Sequence, residues 1–123
     1  MNFRFRHLAY SSSELVMVDT AHNRLFTINH KDGTTSIIDG GGEEVKEISG
    51  VTADRSGNIY FVDRQLDQIM FLKKTKKKYS PPQKVLVDLP LKKPSGIFYS
   101  DSSQSIYVSN GGNSSVIRFK IIM

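Results

Sequence analysis

"GNIYFVDRQLDQIMFL", residues 57–72, contains two short apolar runs that are joined by the polar turn "DRQLD". Runs of Val, Ile, Phe and Tyr that are bounded by Gly, Asp and Asn are typical of short antiparallel strands. The same strand, turn and strand occur upstream as "SELVMVDTAHNRLFTI" (residues 13–28) and downstream as "QSIYVSNGGNSSVIRF" (residues 104–119). The chain therefore repeats one unit three times, and this repeat decides the fold.

The spacing of the copies indicates the kind of repeat. "IYFVD" (59–63) begins 44 residues after "LVMVD" (15–19) and 47 residues before "IYVSN" (106–110). A period in the mid-forties with several strands in each period predicts a propeller blade, and no stretch keeps a helical apolar period over three turns. We predict an all-β chain, a β-propeller segment of about three four-stranded antiparallel blades, at residues 6–48, 49–94 and 95–123.

A complete blade is predicted to contain strands A to D, named from the propeller axis outward. Gly50 and Gly96 are expected to begin two of the strands A, where blades crowd the axis, and Gly57 to take positive φ in a tight turn. The predicted strands are 6–10, 14–18, 24–29 and 35–38 in the first blade, 51–54, 58–62, 68–73 and 84–87 in the second, and 96–100, 105–109 and 115–122 in the third, which lacks a strand D.

The stretch "GVTADRSGNIYFVDRQLDQIMFL", residues 50–72, resembles the NHL repeat. The matching positions are Gly50, Asp54, Gly57, Ile59, Tyr60, Val62 and Asp63 in the second copy, Val18, Asp19, Asn23, Arg24 and Leu25 in the first, and Pro94, Gly96, Asp101, Ile106, Tyr107, Val108 and Asn110 in the third. The resemblance implies a six-bladed propeller, of which three blades are about half. It extends more distantly to gluconolactonase-like and strictosidine-synthase-like propellers.

Three blades do not close a ring, so an open array exposes an apolar face at each end. One solution is that the chain is a fragment of a six-bladed parent. The other, which we favour, is a dimer in which two copies join head to tail as a six-bladed ring with twofold symmetry. The N-terminal "NFRFR" (2–6) would then stand in for the missing strand D of the partner.

Polar residues collect at one end of the predicted strands. Strand direction alternates within a blade, so the B-to-C turns and the D-to-A loops lie on one rim, which we call the first rim. Its candidate partner-binding residues are Asn23, Arg24, Asp63, Arg64, Lys92, Lys93 and Asn110. Asp19, Asp63 and Asn110 end strands B, where a short polar side chain is also expected to bond turn amides.

The resemblance implies protein recognition on the first rim in some members of the family and single-stranded RNA recognition in others. Mixed charge and few aromatic residues favour a protein over RNA here. We therefore expect a noncatalytic module that binds another protein or a second copy of itself. RNA remains an alternative partner.

An enzyme is the other alternative. Gluconolactonase-like propellers hold a divalent cation with Glu, Asn and Asp oxygens, and the resemblance therefore implies a calcium-dependent lactonase or esterase that is completed on oligomerisation. Ser95, in "PSG", replaces the Asn that opens an inner strand in that family. We assign no catalytic, cofactor-binding or metal-ligating residue and expect no cofactor apart from this possible calcium.

Composition excludes several other sites. The chain has no cysteine, which rules out a disulfide, a thiolate metal site or a cysteine nucleophile, and no G-x-S-x-G elbow occurs. His7, His22 and His30 lack metal-ligand spacing.

The net charge is +5, but much of the excess lies in "KKTKKK" (73–78), which we predict to be a solvated loop. We see no signal peptide or transmembrane run, expect a soluble chain without a membrane partner, and assign no compartment.

Overall fold

The computed structural model describes residues 5–11, 14–38, 45–76, 78–85, 87 and 90–120. The strands are β1 (Phe5–Ser11), β2 (Glu14–Asp19), β3 (Arg24–Asn29), β4 (Thr35–Ile38), β5 (Ile48–Ala53), β6 (Ile59–Asp63), β7 (Gln68–Leu72), β8 (Lys74–Thr75), β9 (Lys78–Tyr79), β10 (Gln83–Val85), β11 (Pro94–Ser100), β12 (Ser105–Asn110) and β13 (Ser115–Lys120). A short 3-10 helix covers Gly111–Asn113. In this described part of the chain, no helix is long and apolar enough to cross a bilayer.

The strands form three blade-like antiparallel sheets and one hairpin, so the prediction of an all-β fold is confirmed. The first blade has the order β1-β2-β3-β4, the second has β5-β6-β7-β10, and the third has β11-β12-β13. β8 and β9 form a separate two-stranded hairpin in the connection between β7 and β10 of the middle blade. Strands that follow one another within a blade are neighbours, as expected for a propeller blade.

The innermost strands start earlier than predicted. β5 begins at Ile48 and β11 at Pro94, because the pairing with β6 and β12 continues across a bulge. The register shifts between Ile48 and Gly50 in one blade and between Pro94 and Gly96 in the other. The expectation that the two glycines begin these strands is therefore wrong: they lie inside the strands, directly after the bulged residue.

Side-chain alternation along the middle blade buries both of its faces. Ile59 and Phe61 point toward the first blade, whereas Tyr60 and Val62 point toward the third. The first interface buries Val16, Val18, Leu25, Ile38, Val45, Ile48, Val51, Ile59, Phe61, Met70 and Leu72. The second buries Tyr60, Val62, Ile69, Ile106 and Val108. The two-residue period of the strands thus produces two cores that share one sheet.

Two glycines allow the middle and third blades to meet closely. A Cβ atom on Gly50 would lie 3.1 Å from the Cα of Gly96 and 3.2 Å from the carbonyl oxygen of Ser95. The predicted crowding near the axis is confirmed. Gly57 takes the expected positive φ, +88°, in the turn between β5 and β6.

Most of the described residues of the basic run "KKTKKK" are exposed, as predicted, but the run forms part of a hairpin and not a loop. Lys74 begins the β8–β9 hairpin, and its Nζ lies 3.0 Å from Glu14 Oε1 of the first blade, with only 16% of the Lys74 side chain exposed. The hydroxyl of Tyr79 donates a second hydrogen bond to the same oxygen, also at 3.0 Å. The hairpin therefore fastens the middle blade to the first blade.

These bonds predict how stability depends on pH. Burial would raise the pKa of Glu14, but hydrogen bonds from Lys74 and Tyr79 outweigh it, and the pKa lies below its usual value. A depressed carboxyl pKa stabilises the fold above the unfolded-state pKa and ceases to do so as pH falls through the folded-state pKa. Glu14→Gln should lower Tm clearly at about pH 7, and the gap from wild type should close below about pH 4.

The matched control is Glu47→Gln, since the carboxylate of Glu47 is half exposed and lies 3.7 Å from Arg64. A surface pair of this kind contributes little, so this variant should melt close to wild type throughout. A Tm gap for Glu14→Gln that stays constant from about pH 7 to pH 3 would show that Glu14 does not act through its charge.

The end faces of the array differ from each other. The outward face of the first blade exposes Leu8 (65%), Tyr10 (63%) and Ile37 (57%). On the outward face of the third blade, Ser109 and Arg118 occupy the positions that correspond to Val62 and Phe71 of the middle blade. One end is thus apolar, and the other is mixed.

The N-terminal segment also pairs with a different strand from the one that we predicted. Phe5 and Arg6 belong to β1, where they pair with Asp19 and Val18. They therefore cannot supply a strand D to a partner. The rest of "NFRFR", residues 2–4, lies outside the described residues.

Candidate functional site

Asp63, the central acidic residue of the first rim, is fully buried at the end of β6. Its Oδ2 accepts a hydrogen bond from the N–H of Lys46 (2.8 Å), and its Oδ1 accepts from that of Glu47 (3.1 Å). Oδ1 also accepts from the N–H groups of Gln65 (3.1 Å) and Leu66 (3.2 Å). One carboxylate thus holds the loop that enters the middle blade and the turn that leaves β6.

Asn110 occupies the equivalent position in the third blade and is 1% exposed. Its Oδ1 accepts from the N–H of Lys92 at 2.6 Å, and its Nδ2 donates to the carbonyl of Pro90 at 3.3 Å. In the first blade, Asp19 Oδ1 accepts from the N–H of Ala21 at 3.1 Å. The expected bonds between these side chains and turn or loop amides are present in all three copies.

Asn23 and Asp67 connect neighbouring blades, a role that we did not predict. Both take left-handed backbone conformations, with φ of 52° and 53°. Asn23 Oδ1 accepts from the N–H of Ile48 at 2.8 Å, and Asp67 Oδ1 accepts from the N–H of Lys93 at 2.7 Å. Proline at 94, the position equivalent to Ile48, has no N–H, so the preceding residue donates instead.

A signal for these two connections was present in the sequence. Asn and Asp tolerate the left-handed region better than most residues, and both stand at the same place in their repeats, 44 residues apart. The third copy has Ser114 there, also with positive φ (51°). The shared position in the repeats indicates a left-handed turn conformation. It does not indicate that these side chains accept hydrogen bonds from the loop that enters the next blade.

Arg24, another predicted site residue, is largely occupied within its own blade. Its Nε lies 3.4 Å from Asp19 Oδ2, and 27% of its side chain is exposed. The guanidinium carbon also lies 4.8 Å from the centre of the Phe26 ring. Arg24 therefore makes contacts within the first blade and stays partly exposed.

The other three candidates, Arg64, Lys92 and Lys93, are exposed. The bond from Lys93 to Asp67 holds the 92–93 loop against the 64–67 turn. Leu66 lies in that turn and is 43% exposed. We call Arg64, Leu66, Lys92 and Lys93 the rim patch. Leu66 was missed because one leucine in a polar turn gives no periodic signal.

The candidates do not fit the calcium site of the enzyme alternative. Both oxygens of Asp63 are engaged by N–H groups, and within the described residues no cluster of three or more His, Asp or Glu side chains could hold a metal. Calcium prefers six to eight converging oxygens. Calcium binding stays a prediction, which a rise in Tm on adding calcium would support.

The sheets and their shared cores define this class of fold as a β-propeller segment. No protein-family model matches the chain, and no curated protein matches it. Among solved structures, it is similar to a chain of the nidogen/laminin complex, with a TM-score of 0.70 and 18% identity over 93% of this chain and 47% of that chain. It is also similar to virginiamycin B lyase from Staphylococcus aureus, with a TM-score of 0.61 and 12% identity over 97% and 42%.

These similarities confirm the propeller fold that the NHL resemblance implied. The chain spans less than half the length of either structure. One of the two is a complex of proteins and the other a lyase, so the same fold supports binding and catalysis. The activity of this chain must be argued from its own residues.

Proposed function

We propose that this propeller module is noncatalytic and binds another protein through the rim patch. The observation that carries the proposal is the 2.7 Å bond between Asp67 Oδ1 and the N–H of Lys93. It holds an exposed leucine and exposed cations from the 64–67 turn and the 92–93 loop on one structured surface. Buried anchors below the patch, Asp63 and Asn110, fix the backbone on both sides.

The chemistry of the rim patch suits an acidic protein surface with an apolar contact. Interfaces commonly place an apolar anchor within a polar surround, and arginine is enriched among their strongly contributing residues. Leu66 can supply the anchor, while Arg64, Lys92 and Lys93 supply positive charge. Glu47 lies 3.7 Å from Arg64 and is half exposed, so a carboxylate on a partner can compete for this arginine.

A similar structure supports binding of protein over other ligands. The nidogen/laminin neighbour is a complex between proteins. The residues of the rim patch include no aromatic side chain on which a base could stack, whereas single-stranded RNA recognition relies on such stacking. RNA binding stays a prediction, and no binding of oligonucleotides at low salt would remove it.

The test compares two double variants of matched charge. Arg64→Glu with Lys93→Glu reverses the charge of two residues of the rim patch. Lys31→Glu with Lys76→Glu makes the same change in net charge at exposed lysines elsewhere. A partner captured from the source cells and then purified should bind the rim variant at least roughly tenfold more weakly and the control like wild type. Equal binding by the two variants, with both folded, would contradict the proposal.

Assembly with a second copy is a further candidate, because the first blade leaves an apolar face exposed. The ring that we predicted would cover that face with the third blade of the partner copy. Light scattering should then give twice the chain mass of 13.9 kDa. A folded species at the chain mass, up to concentrations well above those of the binding assays, would exclude the ring.

A further inference from the structure

A cavity lies between the first and middle blades, beside the β8–β9 hairpin. Its volume is 390 Å³, which is within the usual range for small-molecule sites. One wall consists of Glu14, Thr27 and residues 36–38 of the first blade, and the other consists of residues 78–81 of the middle blade. A further blade would pack on an outward face of the first or third blade, so it would not fill a space between the first and middle blades.

The acidic side chain of the cavity is already bonded within the protein. Glu14 Oε1 accepts hydrogen bonds from Lys74 Nζ and from the Tyr79 hydroxyl, both at 3.0 Å. The Thr27 hydroxyl, on a side chain that is 2% exposed, also donates to the Glu14 carboxylate. The charge of Glu14 is thus balanced by Lys74, and a ligand does not need to supply a cation.

Apolar surface and one ammonium group remain available to a ligand. Ile38 belongs to the first core, and the ring of Tyr79 packs against that core. Lys78 also lines the cavity, and its side chain is exposed. Among the residues that the structure describes, nothing forms a hydrogen bond or an ion pair with the Lys78 ammonium. Its flexible stem lets this charge reach a group bound in the cavity.

We propose that this cavity binds a small carboxylic acid with an apolar body, which packs against Ile38 and Tyr79 and places its carboxylate beside Lys78. Charge complementarity selects the acid over a neutral or cationic molecule of the same shape. The cavity lies away from the rim patch, since Glu14 begins β2 and Asp19, at the first rim, ends it. Either proposal can therefore fail without the other.

The first test titrates octanoate into the whole chain and follows isoleucine methyl signals by NMR, with octylamine as the cationic comparison. Octanoate should shift the methyl signals of Ile38, leave those of Ile106 in the second interface unchanged, and bind more tightly than octylamine. Lys78→Ala should weaken octanoate binding about threefold, as expected for an exposed ion pair. Lys76→Ala removes the same charge from an exposed residue of the hairpin that does not line the cavity, and it should bind like wild type. No shift at Ile38, or equal affinities of the two variants, would overturn the proposal.

The second test fills the cavity from an exposed position. Ser36 lies on β4 and lines the cavity, and its neighbour Thr35 faces the other side of the strand. Ser36→Phe should occupy the space and weaken octanoate binding at least roughly tenfold. Thr35→Phe adds the same ring on the opposite face and should bind like wild type, and circular dichroism checks that both variants are folded. Octanoate binding by folded Ser36→Phe at the wild-type affinity would show that the acid does not bind in this cavity.

Discussion

Asp63→Ala should destabilise the protein by about 3–5 kcal/mol, because it leaves four backbone N–H groups without their shared acceptor. The carboxylate is fully buried and accepts from Lys46, Glu47, Gln65 and Leu66. A small domain has only about 5–15 kcal/mol of stability in total. Thermal melting should therefore show Tm lower by roughly 10–20 °C, or no folded state.

Asp101→Ala is the control for this prediction. Asp101 is also an acid in a turn, but about half of its side chain is exposed, and its ion pair with Arg55 is long, 3.9 Å. Such a substitution usually changes stability by no more than about 0.5 kcal/mol. If Asp63→Ala melts like Asp101→Ala, the carboxylate does not hold the loop and the turn together.

Phe61→Ala should cost about 3–5 kcal/mol, the usual range for a large aromatic side chain removed from a core. Phe61 is fully buried at the interface between the first and middle blades. Its loss would leave a cavity that two sheets line, and neither sheet can close it without losing its own register. Because the chain has no tryptophan, chemical denaturation followed by circular dichroism would measure the loss in the free energy of unfolding.

Phe98→Ala provides the comparison, since Phe98 is 63% exposed on the outward side of the third blade. Its removal should change the free energy of unfolding by less than about 1 kcal/mol. Similar losses for the two phenylalanines would mean that the first interface is not packed as described.

The repeated units were predictable because they depend on local chemistry. Apolar alternation located the second and third strands of each blade, and the strands 24–29 and 35–38 have the predicted bounds. Gly57 was identified from the need for positive φ in a tight turn. Asp63 and Asn110 were expected to bond amides because short polar side chains often do so at strand ends.

Features that depend on distant residues were not predictable. The bond between Glu14 and Lys74 joins positions 60 residues apart, and a charge run in the sequence does not indicate which lysine is buried. The bulges before Gly50 and Gly96 arise from pairing between strands, so the strand starts were misplaced. The exposure of Leu66 depends on how its turn packs against the 92–93 loop, which is distant in the sequence.

The rim patch also depends on contacts between distant residues, which the local sequence does not indicate. Buried polar residues beneath it, which the sequence made equally good candidates for binding, have their side chains directed to loop amides. Exposed neighbours carry the charge and the apolar contact that a partner requires. The structure thus separates residues that position the rim from residues that are available to a partner.

Amide hydrogen exchange of Lys46, Glu47, Gln65 and Leu66 tests this account most directly. Their N–H groups come from two separate segments and share one acceptor, Asp63. All four should exchange slowly in wild type. Asp63→Asn replaces one carboxylate oxygen with an NH2 group, so either Lys46 or the other three N–H groups lose their acceptor and should exchange at least roughly tenfold faster. Unchanged exchange at all four N–H groups in that variant would contradict the claim that Asp63 anchors the rim.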